Sequence, residues 1–130
     1  MAVDVSERTI LIVEDQEGPR KALTMILGAY YRVRTAETAG DALKVFADIP
    51  VDLVIMDVGL PDCSGIELLR QIRAIGREVK VIVMSGGGAI DSAEEALRLG
   101  ALAYLLKPFN FQEVLMLVEG ALKGSVSDLT

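Results

Sequence analysis

The sequence predicts a doubly wound α/β domain, a five-stranded parallel sheet with helices on both faces. Three observations carry this. Short, mainly apolar runs recur at Thr9–Val13, Leu53–Met56, Val79–Met84 and Leu102–Leu106, as strands covered on both faces require. Each is followed by a stretch with apolar residues at helical spacing, through connections short enough for right-handed crossovers. A fifth run, Tyr31–Thr35, alternates with Arg32 and Arg34 and so has one wetter face, which places it at an edge. The implied strand order is 2-1-3-4-5.

In chain order, Thr9–Val13 ends directly on Glu14-Asp15. Adjacent acids repel each other, so this is a more pointed feature than a solvated turn, its bland reading. Gly18-Pro19 opens the first helix, with Pro19, Leu23, Ile26 and Leu27 as its apolar stripe. After the edge strand, Thr38 followed by Asp41 resembles a capping box. Ala39, Ala42, Leu43 and Phe46 then make Ala39–Ala47 a core-facing helix. The central strand ends on Asp57, where Gly59 and Pro61 begin a loop. Ser64 with Glu67 starts a third helix lined by Ile66, Leu69 and Ile72, and Gly76 is its expected stop. The fourth strand closes on Ser85-Gly86-Gly87-Gly88, and Asp91–Leu99 is helical with Gly100 behind it. The fifth strand ends at Lys107-Pro108. Phe111, Val114, Leu115, Val118 and Leu122 form the inward stripe of the last helix, and Gly124–Thr130 reads as a frayed polar tail.

With 130 residues, 52% of them hydrophobic, the chain reads as one domain over 1–130, with a core of about 8–123 and short disordered ends. No run approaches the ~20 apolar residues of a membrane span, and nothing resembles an export leader. The net charge of −6 argues against direct nucleic-acid binding. The single cysteine, Cys63, cannot form an internal disulfide, so a reducing cytoplasm is the expected setting. The absence of histidine removes His-based zinc sites, Ser-His-Asp triads and any phosphohistidine on this chain.

Four strands of this topology deliver their carboxyl ends to one rim, where ligands bind in open α/β sheets. They bring Glu14-Asp15, Asp57, Ser85 and Lys107. Three carboxylates so close need a cation or raised pKa values. An incompletely filled all-oxygen site suits Mg²⁺, which keeps waters and often binds a phosphoryl group. Ser85 can donate to a phosphoryl oxygen and Lys107 can balance its charge. The constellation describes a carboxylate that receives or holds a phosphoryl group beside a divalent metal.

The motifs Ile10–Asp15 (ILIVED), Leu53–Pro61 (LVIMDVGLP), Asp62–Gly65 (DCSG), Val81–Ser85 (VIVMS) and Ala103–Phe109 (AYLLKPF) resemble the receiver domain of response regulators, the CheY-like fold of two-component signalling. The resemblance covers about Arg8 to Leu122. It implies that Asp57 is the phosphoacceptor, that Glu14, Asp15, Asp57 and the Gly59 carbonyl hold Mg²⁺ or its waters, and that Ser85 and Lys107 hold the phosphoryl oxygens. It also implies that Tyr104 is an aromatic switch reporting on Ser85, and that the Lys107-Pro108 bond is cis. The implied donor is a phosphohistidine on a histidine kinase or phosphotransfer protein, and the implied output is the face of the fourth helix, fifth strand and fifth helix, acting as a monomer or a phosphorylation-dependent dimer. Such a chain is a switch rather than an enzyme. Two rivals share parts of this pattern. A flavodoxin-like cofactor binder needs a phosphate loop after the first strand, where Glu14-Asp15-Gln16-Glu17 would repel a phosphate. A phosphohydrolase with an Asp nucleophile wants a second carboxylate close after Asp57, and Val58-Gly59 offers none. Within the resemblance, Gly59 and Gly87 leave bare two positions beside the site that usually carry side chains.

Overall fold

The computed structural model describes residues 7–75, 78–86 and 90–127, with the side chains of 90–92 and 124–127 outside the description. Five parallel strands, β1 (Thr9–Val13), β2 (Arg32–Ala36), β3 (Leu53–Asp57), β4 (Lys80–Ser85) and β5 (Ala103–Leu106), form one sheet in the order β2-β1-β3-β4-β5. The helices are α1 (Glu17–Gly28), α2 (Ala39–Asp48), α3 (Gly65–Ala74), α4 (Ile90–Arg98) and α5 (Phe111–Ser127). The strand order follows from burial: all of β1 and β3 is buried, whereas Arg32, Arg34 and Thr35 of β2 are exposed. Charged side chains on such an edge also discourage pairing with another chain.

Alternate side chains of the sheet enter two cores. Leu11, Val13, Val54, Met56, Val81 and Val83 meet α2 and α3, while Ile10, Ile12, Leu53, Ile55, Ile82 and Met84 meet α1 and α5. Phe46 of α2 and Leu68 of α3 are fully buried in the first core, each contributing roughly 2–3 kcal/mol of apolar burial. Leu68 widens the α3 stripe beyond the three residues that spacing suggests.

The caps of α2 and α3 agree with their sequence signals. Thr38 Oγ1 accepts from the Asp41 amide at 3.0 Å and Ser64 Oγ from the Glu67 amide at 3.1 Å. At the far end of α4, Gly100 adopts φ +91°, which glycine tolerates without a Cβ penalty. Arg73 of α3 secures this turn by donating to the carbonyls of Leu99 (2.9 Å), Val79 (2.8 Å) and Gly100 (3.2 Å).

Two expectations are corrected. Phe111 is not on the inward stripe of α5; it is 47% exposed and packs against Phe109, with ring centroids 6.1 Å apart. Among the described residues of that helix the buried ones are Val114, Val118, Ala121 and Leu122, and the Phe111 ring instead pairs with Phe109 on the connection before the helix. Helix α5 also continues through Ser127 instead of fraying at Gly124, since adding a residue to a formed helix costs far less than nucleating one. The expected stop at Gly76, the loop glycines Gly87 and Gly88, and residues 1–6 and 128–130 lie outside the described residues.

Candidate phosphorylation site

The carboxyl ends of β1, β3 and β5 bring Glu14, Asp15, Asp57 and Lys107 together. The interiors of β1 and β3 are apolar, so their charged groups appear only where the strand runs out at the carboxyl end. Glu14 follows Val13 and is fully buried; Asp57 is 6% exposed; Asp15 faces solvent. Each of the three offers a carboxylate oxygen, and these oxygens lie within 4.8 Å of one another.

Lys107 bridges the two buried acids. Its Nζ donates to Glu14 Oε1 at 2.6 Å and to Asp57 Oδ2 at 2.8 Å. The remaining oxygens are also engaged: Glu14 Oε2 accepts from the Gln16 amide at 3.1 Å, and Asp57 Oδ1 from the Gly59 amide at 3.0 Å. Burial is the largest influence on both carboxyls and pushes each upward. For Glu14 it prevails, assisted by the negative charge of Asp57 and opposed by Lys107 and Gln16, and the carboxyl sits above the ordinary range. For Asp57 the contacts with Lys107, the Gly59 amide and Glu14 outweigh burial and hold the carboxyl below it. Burial also works against the Lys107 ammonium, but Asp57 and Glu14 hold it above the usual lysine range.

The donor set fits a hard divalent cation. Three carboxylates against one ammonium leave a charge deficit of two, and the donors are all oxygen. Glu14, Asp15 and Asp57 each offer an oxygen within 4.8 Å of the others, a cluster that would suit a divalent cation held directly or through its waters.

The other predicted site residues lie around this cluster. Ser85 ends β4, is 7% exposed, and its carbonyl accepts from the Lys107 amide at 2.8 Å. Tyr104 pairs with Val83 in the β4–β5 register and packs against the core beneath α3 and α4. Its hydroxyl is buried without a hydrogen-bond partner. The Lys107-Pro108 bond is cis. Gly59 lies in the β3–α3 loop, bridged to Ser64, and Gly65 closes that loop through its amide to the Val58 carbonyl at 2.8 Å. A Cβ on Gly65 would stand 2.3 Å from the Asp57 carbonyl oxygen, so this position requires glycine for α3 to start against the strand end.

Two residues with no assigned role in the sequence reading support the acidic loops. Arg20 of α1 donates to the carbonyls of Glu14 and Asp15, both at 3.2 Å, and pairs with Glu37 at 3.8 Å. Asp62 accepts from the amides of Ala39 and Gly40, each at 2.9 Å. Neither carries a local signal, because its partners belong to other elements of the chain.

Comparison with known proteins agrees with this arrangement. A family profile described as the response regulator receiver domain matches residues 10–119. The regulatory protein AtoC of Escherichia coli K12 is 36% identical over 115 residues, covering 88% of this chain and 25% of AtoC. Sporulation initiation phosphotransferase F of Bacillus subtilis 168 is 35% identical over 106 residues, covering 81% of this chain and 86% of that protein. A crystal structure of a CheY-like receiver domain protein from Methanospirillum hungatei JF-1 superimposes with a TM-score of 0.88 at 30% identity, covering 95% of this chain and 99% of that one. The chain thus spans about a quarter of the length of AtoC, and no helix among the described residues is long and apolar enough to cross a membrane. With the acid cluster, the sheet order and these matches in agreement, the chain belongs to the receiver domains of two-component response regulators, a family of phosphorylation-dependent switches.

Proposed function

We propose that Asp57 is the phosphoacceptor and that its phosphorylation switches the face formed by α4, β5 and α5. The observation that carries this is the Lys107 bridge between Asp57 and Glu14, with Asp15 beside them. A carboxylate oxygen of Asp57 attacks phosphorus, the bond from phosphorus to the donor imidazole nitrogen breaks, and the imidazole leaves with that electron pair. The depressed carboxyl of Asp57 keeps the nucleophile ionised at neutral pH. Glu14, Asp15, Asp57 and the Gly59 carbonyl would hold Mg²⁺, which would supply charge neutralisation for the incoming phosphoryl oxygens. Both oxygens of Glu14 already accept hydrogen bonds, so its role suits a metal-bound water, whereas the exposed Asp15 suits direct ligation. Lys107 and Ser85 would take the phosphoryl oxygens.

The donor would be a phosphohistidine outside these 130 residues, which contain no histidine. An apolar recess of about 400 Å³ opens beside Lys107 between Gly18, Pro19 and Ala22 of α1 and Pro108, Phe109 and Phe111. Its position next to the acceptor makes it a seat for the donor's histidine-bearing element. On the output side, Leu97 of α4, Leu102 just before β5, Leu106 at the end of β5 and Met116 of α5 are exposed. Tyr104 stands on β5 two residues before Leu106, the register partner of Ser85, and its buried hydroxyl awaits a partner, which is the kind of two-position element a switch requires. The nucleic-acid binding in the printed name of one relative belongs to that longer protein; the charge of −6 here suits a protein partner better.

Labelling from acetyl phosphate tests the reading. Wild type in Mg²⁺ should be labelled on Asp57, and Asp57→Asn, Asp15→Asn and wild type in chelator should not. Label retained in the Asp15 variant or in chelator would overturn the metal assignment, and label retained in Asp57→Asn would overturn the acceptor.

A further inference from the structure

We propose that Asp62 is a positioning residue for this site: its carboxylate ties the loop that carries Gly59 to the first turn of α2. An exposed aspartate in a loop is ordinarily solvated and mobile. Here both oxygens are committed, Oδ1 to the Ala39 amide and Oδ2 to the Gly40 amide, each at 2.9 Å. Two contacts fix orientation as well as distance. They also satisfy two of the N–H groups that a helix start leaves without partners, while Thr38 takes a third through the Asp41 amide. The same two contacts hold the Asp62 carboxyl below the usual carboxylate range.

The tie reaches the acceptor because the loop between is stiff. The loop is bridged from Gly59 to Ser64, closed by the Gly65 amide on the Val58 carbonyl, and held at the β4 side by the Val58 amide on the Met84 carbonyl at 2.9 Å. Leu60 sits in the core beneath it and sets its depth, but an apolar contact has no direction. Asp62 supplies direction. Gly59, three residues back, donates its amide to Asp57 Oδ1 and so orients the acceptor carboxylate.

The anchor at α2 also serves the opposite loop. The Glu14 amide donates to the Ala36 carbonyl at 3.0 Å, and Arg20 joins Glu37 to the Glu14 and Asp15 carbonyls. The β2–α2 junction from Ala36 to Gly40 is therefore the common support of both loops, and Asp62 sets the spacing of Gly59 from Asp15 across the site. This inference rests on the metal-assisted phosphorylation proposed above.

The test uses the full chain as wild type, Asp62→Ala, Asp62→Asn and Thr38→Ala, titrated with Mg²⁺ while the Gly59 and Asp57 amide resonances are followed. Support for a metal ligand is typically worth tenfold or more in affinity, so Asp62→Ala should need about ten times more Mg²⁺ for half-saturation. Asp62→Asn, with a single acceptor oxygen, should fall between. Thr38→Ala weakens the same helix turn without touching the β3–α3 loop, and its midpoint should stay within about twofold of wild type. Labelling of Asp62→Ala by acetyl phosphate should recover at saturating Mg²⁺, which a loss of folded protein would not allow. Equal midpoints in wild type and Asp62→Ala overturn the proposal, and so does a Thr38→Ala shift as large as that of Asp62→Ala. Without metal, the Gly59 amide resonance should move in Asp62→Ala and not in Thr38→Ala, and an unmoved resonance also overturns it. That measurement stands even if wild type binds no Mg²⁺ and takes no label, an outcome that would sink the phosphorylation reading instead.

Discussion

Lys107, at the end of β5, holds Asp57, at the end of β3, through a 2.8 Å hydrogen bond across the intervening strand, and the same ammonium holds Glu14 at 2.6 Å. One cation thus stands between two buried acids whose sequence separations from it are 50 and 93 residues. Removing one partner of such an arrangement leaves charge buried without compensation. Lys107→Met should lower stability by about 3 kcal/mol in the absence of divalent metal. Mg²⁺ should restore part of that loss, because it replaces the missing positive charge. The check is thermal unfolding with and without Mg²⁺; a metal-induced rise no larger in the variant than in wild type would contradict the charge argument.

The raised carboxyl of Glu14 has a definite sign in a pH series. The folded chain keeps the Glu14 proton above the ordinary value of 4.5 at which the unfolded chain releases it. Stability from this group therefore falls as pH rises from 4.5 to its elevated folded value, and levels off beyond it. Relative to Glu14→Gln, metal-free wild type should lose ground across that window in urea unfolding measured from pH 4 to 8. A wild type that gains on the variant as pH rises would mean that Lys107 outweighs burial at Glu14.

The Tyr104 hydroxyl is buried without a partner in this conformation, and an unsatisfied group of that kind costs roughly 1–3 kcal/mol. Tyr104→Phe removes it while keeping the ring against the core. The unphosphorylated variant should be at least as stable as wild type, with a gain of about 1 kcal/mol. A loss of that size in denaturant unfolding would show that the hydroxyl is satisfied in solution.

Phosphoryl lifetime should depend on Gly59. A Cβ there would lie 4.0 Å from Asp57 Oδ1, so a longer polar side chain could orient a water toward the phosphorylated carboxylate. Gly59 is not in the left-handed region, so asparagine fits its backbone. Orientation of a reacting water is worth more than easier access at an open rim, so Gly59→Asn should speed loss of label from Asp57 by roughly tenfold. Unchanged or slower decay would mean that water positioning does not limit this site.

The architecture and the gathering of charged residues at one rim were legible in the sequence for a physical reason. A strand buried on both faces admits no charge, so Glu14, Asp15, Asp57 and Lys107 announce the strand ends by interrupting apolar runs, and parallel topology sends those ends to one rim. The exposed arginines of β2 marked the edge in the same way. Helical spacing was a poorer guide at α5: Phe111 fits the period but is exposed and packs against Phe109, because whether the first turn of a helix meets the core is decided by tertiary packing rather than by spacing.

The sequence by itself determined which side chains gather and the order of the strands, because periodicity and charge placement are local properties of the chain. Only the tertiary structure decided how the gathered charges divide their roles. Lys107 bridges Glu14 and Asp57 and leaves Asp15 exposed, burial and contact push the two bridged carboxyls in opposite directions, and Asp62 and Arg20 reach back to α2 and the β1–α1 loop. Those relations depend on distances between residues remote in sequence and on the water excluded around them, neither of which a one-dimensional pattern encodes.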